Sequence, residues 1–203
     1  MNIAVIGTGN VGGALAKNWS MKGHTIHLGV RDVSQFKGME LLKIPHITVH
    51  SIGEAVAWAE VVLVAIPPAA IFETIDCMGD VSGKVLIDAT NAVRQAPEPY
   101  ATVYHALVDK TAADVVKCFN TTGFENMLDP SYNGVGIDMF MAGDSARAKE
   151  VAAGLAIDAG FSACLDFGKA DKVELLEKLA LAWINLAIMQ GHGRNIAFKV
   201  LRR

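Results

Sequence analysis

Asn2-Ile-Ala-Val-Ile-Gly7-Thr-Gly-Asn-Val-Gly12-Gly-Ala-Leu-Ala-Lys-Asn-Trp-Ser-Met21 is the stretch that decides the fold. Asn2–Ile6 is a short apolar run rich in Ile and Val, the pattern of a strand buried on both faces. Gly7, Gly9 and Gly12 follow in G-x-G-x-x-G spacing and open an amphipathic stretch, Val11–Met21, which reads as a helix. A second strand at Thr25–Leu28 completes a βαβ unit of about 30 residues, and in that setting the glycine pattern acquires its meaning. Gly7 permits the tight turn off the strand. Gly9 lets a pyrophosphate approach the backbone, and Gly12 lets the helix sit close to the sheet. The N–H groups around Asn10 and Val11, unpaired at a helix start, suit a diphosphate, with the Thr8 hydroxyl beside them.

The same alternation runs outward from this unit. Further strands are predicted at Ile47–Val49, Val61–Ile66 and Val85–Ile87, with helices at Ser34–Leu42, Ile52–Ala59 and Pro68–Met78. The order argues for an α/β protein with a Rossmann-type doubly wound sheet, mostly parallel. A helix at Tyr104–Ala113, strands at Val115–Phe119 and Asp138–Met141, a helix capped by Asp144 and running to Ala159, and a strand at Phe161–Phe167 follow. Without a linker or repeat, residues 1–203 read as a single dinucleotide-binding domain ending in a long C-terminal helix.

That helix, Asp171–Met189, carries Leu176, Leu179, Ala180, Trp183, Ile184, Ala187 and Ile188 on one stripe. Leu175, Ala182, Leu186 and Met189 widen it. So broad an apolar surface is expected to pack both on its own domain and on a second subunit, which places segment 171–203 at a homodimer interface with Trp183 as anchor. Gly191 and Gly193 end the helix, and Arg194–Leu201 reads as a short second helix returning along the interface.

Composition narrows the function classes. Of 203 residues, 52% are hydrophobic and 19% charged, which excludes a disordered chain. Eighteen Lys and Arg against 21 Asp and Glu leave a net charge of −3, so no nucleic acid or anionic membrane is expected as partner. The apolar runs Val61–Phe72 and Leu179–Met189 fall short of the ~20 residues that cross a bilayer. Asn2–Ile6 reads as a strand rather than a charged leader. Cys77, Cys118 and Cys164, odd in number and without a CxxC, fit a reduced, cytoplasmic chain.

The end of the second strand selects the cofactor. In Leu28-Gly-Val-Arg31-Asp32, Arg31 is suited to grip the 2′-phosphate of NADP, with Lys37 near enough to add charge. Asp32 in another register would bind the ribose 2′-OH of NAD, and otherwise caps the helix that starts near Ser34. Ile66, Pro67 and Pro68 end the fourth strand as a rigid wall, and Thr90 and Asn91 end the fifth, where an Asn can bond a ribose or carboxamide. The same residue types also serve ordinary strand-to-helix turns. Asn120, Thr121 and Thr122 after Phe119 are the candidates for the substrate side. His46 and His50 share no helical face, because Pro45 and a strand intervene, so no metal site is assigned. His105 and His192 are either proton donors or surface and capping positions, and no catalytic residue is named.

Ile3-Ala-Val-Ile-Gly-Thr-Gly-Asn-Val-Gly-Gly13, with the Gly29-Val-Arg31 turn, resembles the coenzyme F420-dependent NADP oxidoreductases and the wider group of dinucleotide-binding reductases around them. Val64-Ala-Ile-Pro67, Asp88-Ala-Thr-Asn91, Val116-Lys-Cys-Phe-Asn-Thr-Thr122 and Gly193-Arg-Asn-Ile-Ala-Phe-Lys199 extend the resemblance over nearly the whole chain. It implies an oxidoreductase that passes a hydride directly between NADP(H) and F420, a deazaflavin, or a flavin. It also implies Thr8, Asn10 and Val11 on the diphosphate and Arg31 on the 2′-phosphate. Val30 stands where the family's usual polar residue precedes that arginine. Beyond Phe119 the chain is committed to two strands and two helices, so the nicotinamide edge is expected to be open to a flat hydride partner. Two alternatives remain: reduction of a small imine or carbonyl, with His105 or His192 donating the proton, and a non-catalytic NADP(H) sensor that signals through its C-terminal helix.

Overall fold

The computed structural model describes residues 1–93 and 95–203. In its first half, β1 (Asn2–Ile6), α1 (Asn10–Met21), β2 (Thr25–Val30), β3 (Ile47–Ser51), α2 (Ile52–Trp58), β4 (Val61–Val64), α3 (Ile71–Met78) and β5 (Val85–Asp88) alternate. Then come α4 (Val103–Lys110), β6 (Asp114–Cys118), α5 (Phe124–Leu128), the hairpin β7 (Ser131–Tyr132) and β8 (Val135–Gly136), and β9 (Asp138–Ala142). The last elements are α6 (Ala146–Asp158), β10 (Ala163–Asp166) and α7 (Val173–Ile184). Eight strands form one sheet in the order β10-β9-β6-β5-β4-β1-β2-β3, a Rossmann-type arrangement. All its pairings are parallel except β6 with β9.

Alternating side chains of β1 explain why the sheet is covered on both faces. Ile3 and Val5 pack with Leu15 and Trp19 of α1 and Leu155 of α6. Ala4 and Ile6 point the other way, into a core shared with Val56 of α2, Ile71 of α3, Leu107 of α4 and Leu176 of α7. A strand buried on both sides has no polar position to give, so its sequence is continuously apolar. Because β1 lies between β2 and β4, the chain leaves it in opposite directions, and a crevice opens at its carboxyl end.

Several predicted elements differ. Ser34–Leu42 is not a helix but two 3-10 turns, Val33–Gln35 and Leu41–Lys43, none of whose residues is buried. Gly38 disfavours a helix between them, and Phe36, Leu41 and Leu42 pack, partly buried, against the core from these turns. The helix predicted from Pro68 begins as a 3-10 turn, Pro68–Ala70, before α3. Ser145, not Asp144, caps α6, its Oγ accepting the Ala148 N–H at 3.1 Å. The predicted start at Tyr104 becomes Val103, capped by Thr102.

The C-terminal helix is a composite: a 3-10 turn at Ala170–Lys172, then α7, then a π turn at Asn185–Met189. Arg194–Leu201 forms no helix. Its backbone groups go to side chains of the domain instead: Trp183 Nε1 and Asn126 Nδ2 donate to the Ile196 carbonyl at 2.7 and 2.6 Å, and the Val200 N–H donates to Asp138 Oδ2 at 2.8 Å. Groups spent in this way are lost to an i→i+4 ladder. The segment is a strap, and it encloses Trp183, which is 4% exposed within its own chain and so is not the free interface anchor that the sequence suggested. Among the described residues no helix is long and apolar enough to cross a membrane.

Candidate active site

The turn between β1 and α1 is shaped by what its glycines exclude. Gly7 has φ +97°, and a Cβ there would lie 2.2 Å from the Ala65 carbonyl oxygen. A Cβ on Gly12 would lie 1.9 Å from the Gly7 carbonyl oxygen, so the helix start rests directly on the turn. Gly9 is different: a Cβ there meets nothing within 4 Å. It faces open space over the N-terminus of α1, where no side chain caps the helix and no acidic residue occupies the first turn. The free N–H groups and the positive end of the dipole are therefore unanswered by the described protein, a cradle that fits a diphosphate.

Two cavities flank this turn. One of 780 Å³ lies toward β2 and is lined by Gly7, Thr8, Gly9, Arg31, Asp32, Lys37, Ile66 and Pro67 from the predicted set, with Val30, Gln35 and Phe36. The other, of 620 Å³, is lined by Asn10, Val11, Pro67, Pro68, Asn91, Asn120 and Thr122 from that set. Pro67 borders both. Gly12, Thr90 and Thr121 line neither. Thr121 turns inward, its Oγ1 3.7 Å from Met139 Sδ, because residues alternate in direction past the strand end.

Around the first cavity the charges separate clearly. Arg31 and Lys37 are exposed and make no ion pair among the described residues. Asp32 is committed locally: its Oδ1 accepts the Ser34 Oγ–H at 2.6 Å and the Ser34 N–H at 2.8 Å. Those bonds, the hydroxyl first and then the backbone, hold its carboxyl below the usual range. Asp32 is thus the cap of a 3-10 turn.

At the second cavity, Asn91 and Asn120 exchange hydrogen bonds. Asn91 Nδ2 donates to the Asn120 carbonyl at 2.8 Å, and Asn120 Nδ2 donates to Asn91 Oδ1 at 2.9 Å. Phe119, just before, has φ +61°, a left-handed conformation costing about 1–3 kcal/mol for a bulky residue. Its ring is fully buried and edge-on to Trp19 at 5.6 Å, which holds the backbone there and aims Asn120 at the cavity. Asn120 Oδ1 is buried without a hydrogen-bond partner, an acceptor left for a ligand.

Beneath this pair is an ion cluster that the sequence reading missed. Lys117 Nζ donates to Asp88 Oδ2 at 2.8 Å, to the Thr90 carbonyl at 2.7 Å and to Glu177 Oε1 at 2.7 Å. Lys117 sits between apolar neighbours in a buried strand, and that misplaced charge was the signal available. Phe124, Trp183, Ile184, Ile188 and Arg194 complete the second cavity from the C-terminal side. Gly123 permits this closeness, since a Cβ there would lie 2.6 Å from Trp183 Cη2. His105 and His192 line neither cavity; His105 Nδ1 lies 2.8 Å from the capping hydroxyl of Thr102. Among the described residues the lining of the second cavity holds no Asp, Glu, His, Lys or Tyr, and Arg194 is its single charge.

Residues 2–92 match the family model described as NADP oxidoreductase, coenzyme F420-dependent. A crystal structure described as a candidate F420-dependent NADP-reductase from Arthrobacter sp. FB24 is similar over the whole of both chains, with a TM-score of 0.86 at 28% identity. A hypothetical protein of Sinorhizobium meliloti shares the fold at 22% identity and a TM-score of 0.72, covering 100% of this chain and 96% of that one. A reductive aminase from Aspergillus terreus shares the fold at 18% identity and a TM-score of 0.70, over 94% of this chain and 63% of its own. In sequence, a glycerol-3-phosphate dehydrogenase [NAD(P)+] of Pelodictyon phaeoclathratiforme is 32% identical over 108 residues, 46% of this chain. The chain spans about a third of that relative's length, 32%.

Proposed function

We propose that this chain, whose residues 2–92 match the coenzyme F420-dependent NADP oxidoreductase family model, transfers a hydride between NADP(H) and a flat, flavin- or deazaflavin-like acceptor. The α1 N-terminus holds the diphosphate, with the Thr8 hydroxyl beside it. Arg31 takes the 2′-phosphate through its two-pronged fork, Lys37 adds charge, and Asp32 is already occupied by Ser34. Asn91 and Asn120, locked to each other, present the free Oδ1 of Asn120 to the nicotinamide end. Bound NADP(H) supplies the hydride.

One observation carries the choice of acceptor. The described lining of the second cavity is apolar, aromatic or neutral amide apart from Arg194 and the Thr122 hydroxyl, and it holds no Asp, Glu, His, Lys or Tyr to hand on a proton. Reduction of an imine or carbonyl asks for such a donor, and the two histidines considered for it lie outside both cavities. Ring-to-ring hydride transfer asks instead for positioning and exclusion of water, which Pro67, Pro68, Phe124 and Trp183 provide as rigid walls. We read residues 1–203 as one dinucleotide-binding unit that pairs with a second copy through the exposed apolar face of its C-terminal helix.

The test has two stages. Titration with NADPH and with NADH, followed by nicotinamide fluorescence, is expected to favour NADPH; equal affinity would return the ribose to Asp32. NADPH oxidation is then followed with F420, FMN and FAD. Turnover with one of them supports the reading, and silence with all three, beside activity on an imine, overturns it.

A further inference from the structure

Arg194 is the one charged residue that lines the second cavity among the described residues, and it is held in an unusual way. Its Nε donates to Glu125 Oε1. Its guanidinium carbon lies 5.5 Å from the centroid of the Phe124 ring and 5.4 Å from that of Trp183. These contacts use one of five N–H donors. The terminal Nη groups have no acceptor among the described residues, so a guanidinium tied at Nε and backed by two rings keeps its other edge free.

The fork is also fixed in place. Two residues further along the strap, the Ile196 carbonyl accepts from Trp183 Nε1 at 2.7 Å and from Asn126 Nδ2 at 2.6 Å. Arg194 therefore does not swing with a loose tail, and its side chain, 42% exposed, stands at the mouth of the cavity. The same lining includes Phe124, Trp183, Ile184 and Ile188 and the neutral amides of Asn91 and Asn120. An apolar slot with one cation at its mouth suits a molecule that is flat or apolar along its length and anionic at one end. Glu125 does not oppose this, because it occupies the Nε edge and leaves the Nη edge to the ligand.

Resting on the hydride-transfer reading above, we propose that Arg194 selects the acceptor by gripping a carboxylate or phosphate group carried on it, with Glu125 as the positioning residue. The free fork, beside a described lining that is otherwise neutral, is the observation that carries this.

The experiment uses the full chain and pairs of compounds that differ in one charge. FMN against riboflavin isolates a phosphate, and phenylpyruvate against its methyl ester isolates a carboxylate. Affinities are measured by calorimetry with and without NADPH, for the wild type, Arg194→Gln and Arg194→Lys. The wild type is expected to prefer one anionic member over its neutral twin by about ten- to a hundredfold. Arg194→Gln is expected to erase that preference while leaving NADPH affinity unchanged, and Arg194→Lys to restore part of it. The pair that responds tells phosphate from carboxylate. If Arg194→Gln does not fold, Glu125→Gln, which loosens the fork without removing it, is expected to reduce the preference. Equal affinity for both members of both pairs in the wild type overturns the proposal, as does an equal loss for anionic and neutral members in the variant. Failure of the wild type to bind NADPH would instead strike the hydride-transfer reading and leave the anion measurements readable.

Discussion

Lys117 Nζ lies 2.7 Å from Glu177 Oε1 across 60 residues of chain, and the lysine side chain is fully buried. The ammonium spends its three protons on Asp88, Glu177 and the Thr90 carbonyl, while Glu177 Oε2 accepts the Ala92 N–H at 2.9 Å. The segment that carries Asn91 is thereby tied to β6 below it and to α7 beside it, the helix that brings Trp183 to the same cavity. The cluster positions the site rather than touching a ligand.

Removing the cation should therefore be costly. Lys117→Met leaves the Asp88 and Glu177 carboxylates buried and facing one another, and a loss of about 3–5 kcal/mol in urea unfolding is expected. The pair Lys117→Met with Glu177→Leu should recover part of it, because an apolar replacement of both partners leaves less charge stranded. A single variant as stable as the wild type would mean that the cluster is already neutral.

Gly9 and Gly12 should separate cofactor binding from folding. At Gly12 the Cβ of alanine would stand 1.9 Å from a carbonyl oxygen, so Gly12→Ala is expected to cost stability by about 1–3 kcal/mol or more. At Gly9 the added carbon meets no protein atom within 4 Å. Gly9→Ala should melt like the wild type and yet lose NADPH affinity, since the methyl would fill the lane proposed for the diphosphate. Thermal melts beside nicotinamide fluorescence decide it, and a Gly9→Ala that binds normally would place the diphosphate elsewhere.

The half of the candidate site built on strand ends was legible as geometry because strand periodicity and glycine spacing are local. Ile3 to Gly12 announces itself within ten residues, and Arg31, Asn91 and Asn120 each fall where a parallel strand stops. What was not legible is long-range. The pairing of Lys117 with Glu177 and of Trp183 with Ile196 depends on where α7 lands, which no local period records. Ser34–Leu42 misled for another reason: Gly38 interrupts the stretch, and Phe36, Leu41 and Leu42 reach the core from 3-10 turns and loop rather than from a helix.

Arg31→Ala should discriminate between the two nicotinamide dinucleotides. If its fork grips the 2′-phosphate, the variant loses about 1.5–3 kcal/mol of NADPH binding and far less of NADH binding. The difference is read from the two fluorescence titrations, and an equal loss for both would make Arg31 an adenine-stacking residue instead.

His27 gives the fold a mild sensitivity to acid away from the site. Its ring lies 5.4 Å from Trp58 and 5.6 Å from His50, and burial first, then the charge of His50, lowers its pKa from 6.5. The unfolded chain accordingly takes up a proton that the folded protein refuses. The contribution of neutral His27 is complete above pH 6.5 and is lost as the pH falls through the lower folded value. Melting temperature should decline from about pH 7.5 to about pH 5, and His27→Gln should flatten the decline. Parallel curves for the two proteins would assign the acid sensitivity to other groups.

The apolar face of the C-terminal helix is the last feature to account for. Leu175, Leu181, Leu186 and Ile188 are exposed, and Met189 is 74% exposed. Leu175, Ala182, Leu186 and Met189 recur at helical spacing on a surface that the strap does not cover, an arrangement uncommon on a monomer. Trp183 is buried within its own chain and bonded to Ile196, so Trp183→Asp is expected to unfold the chain rather than to release a subunit. The informative variant is Leu186→Glu with Met189→Glu, which leaves the core untouched and puts like charges in the contact. Light scattering behind a sizing column should give the wild type a mass near twice 21.6 kDa and the double variant a mass near 21.6 kDa, with NADPH binding retained in both. A wild type already at the lower mass at micromolar concentration would leave this face without a second copy to cover it.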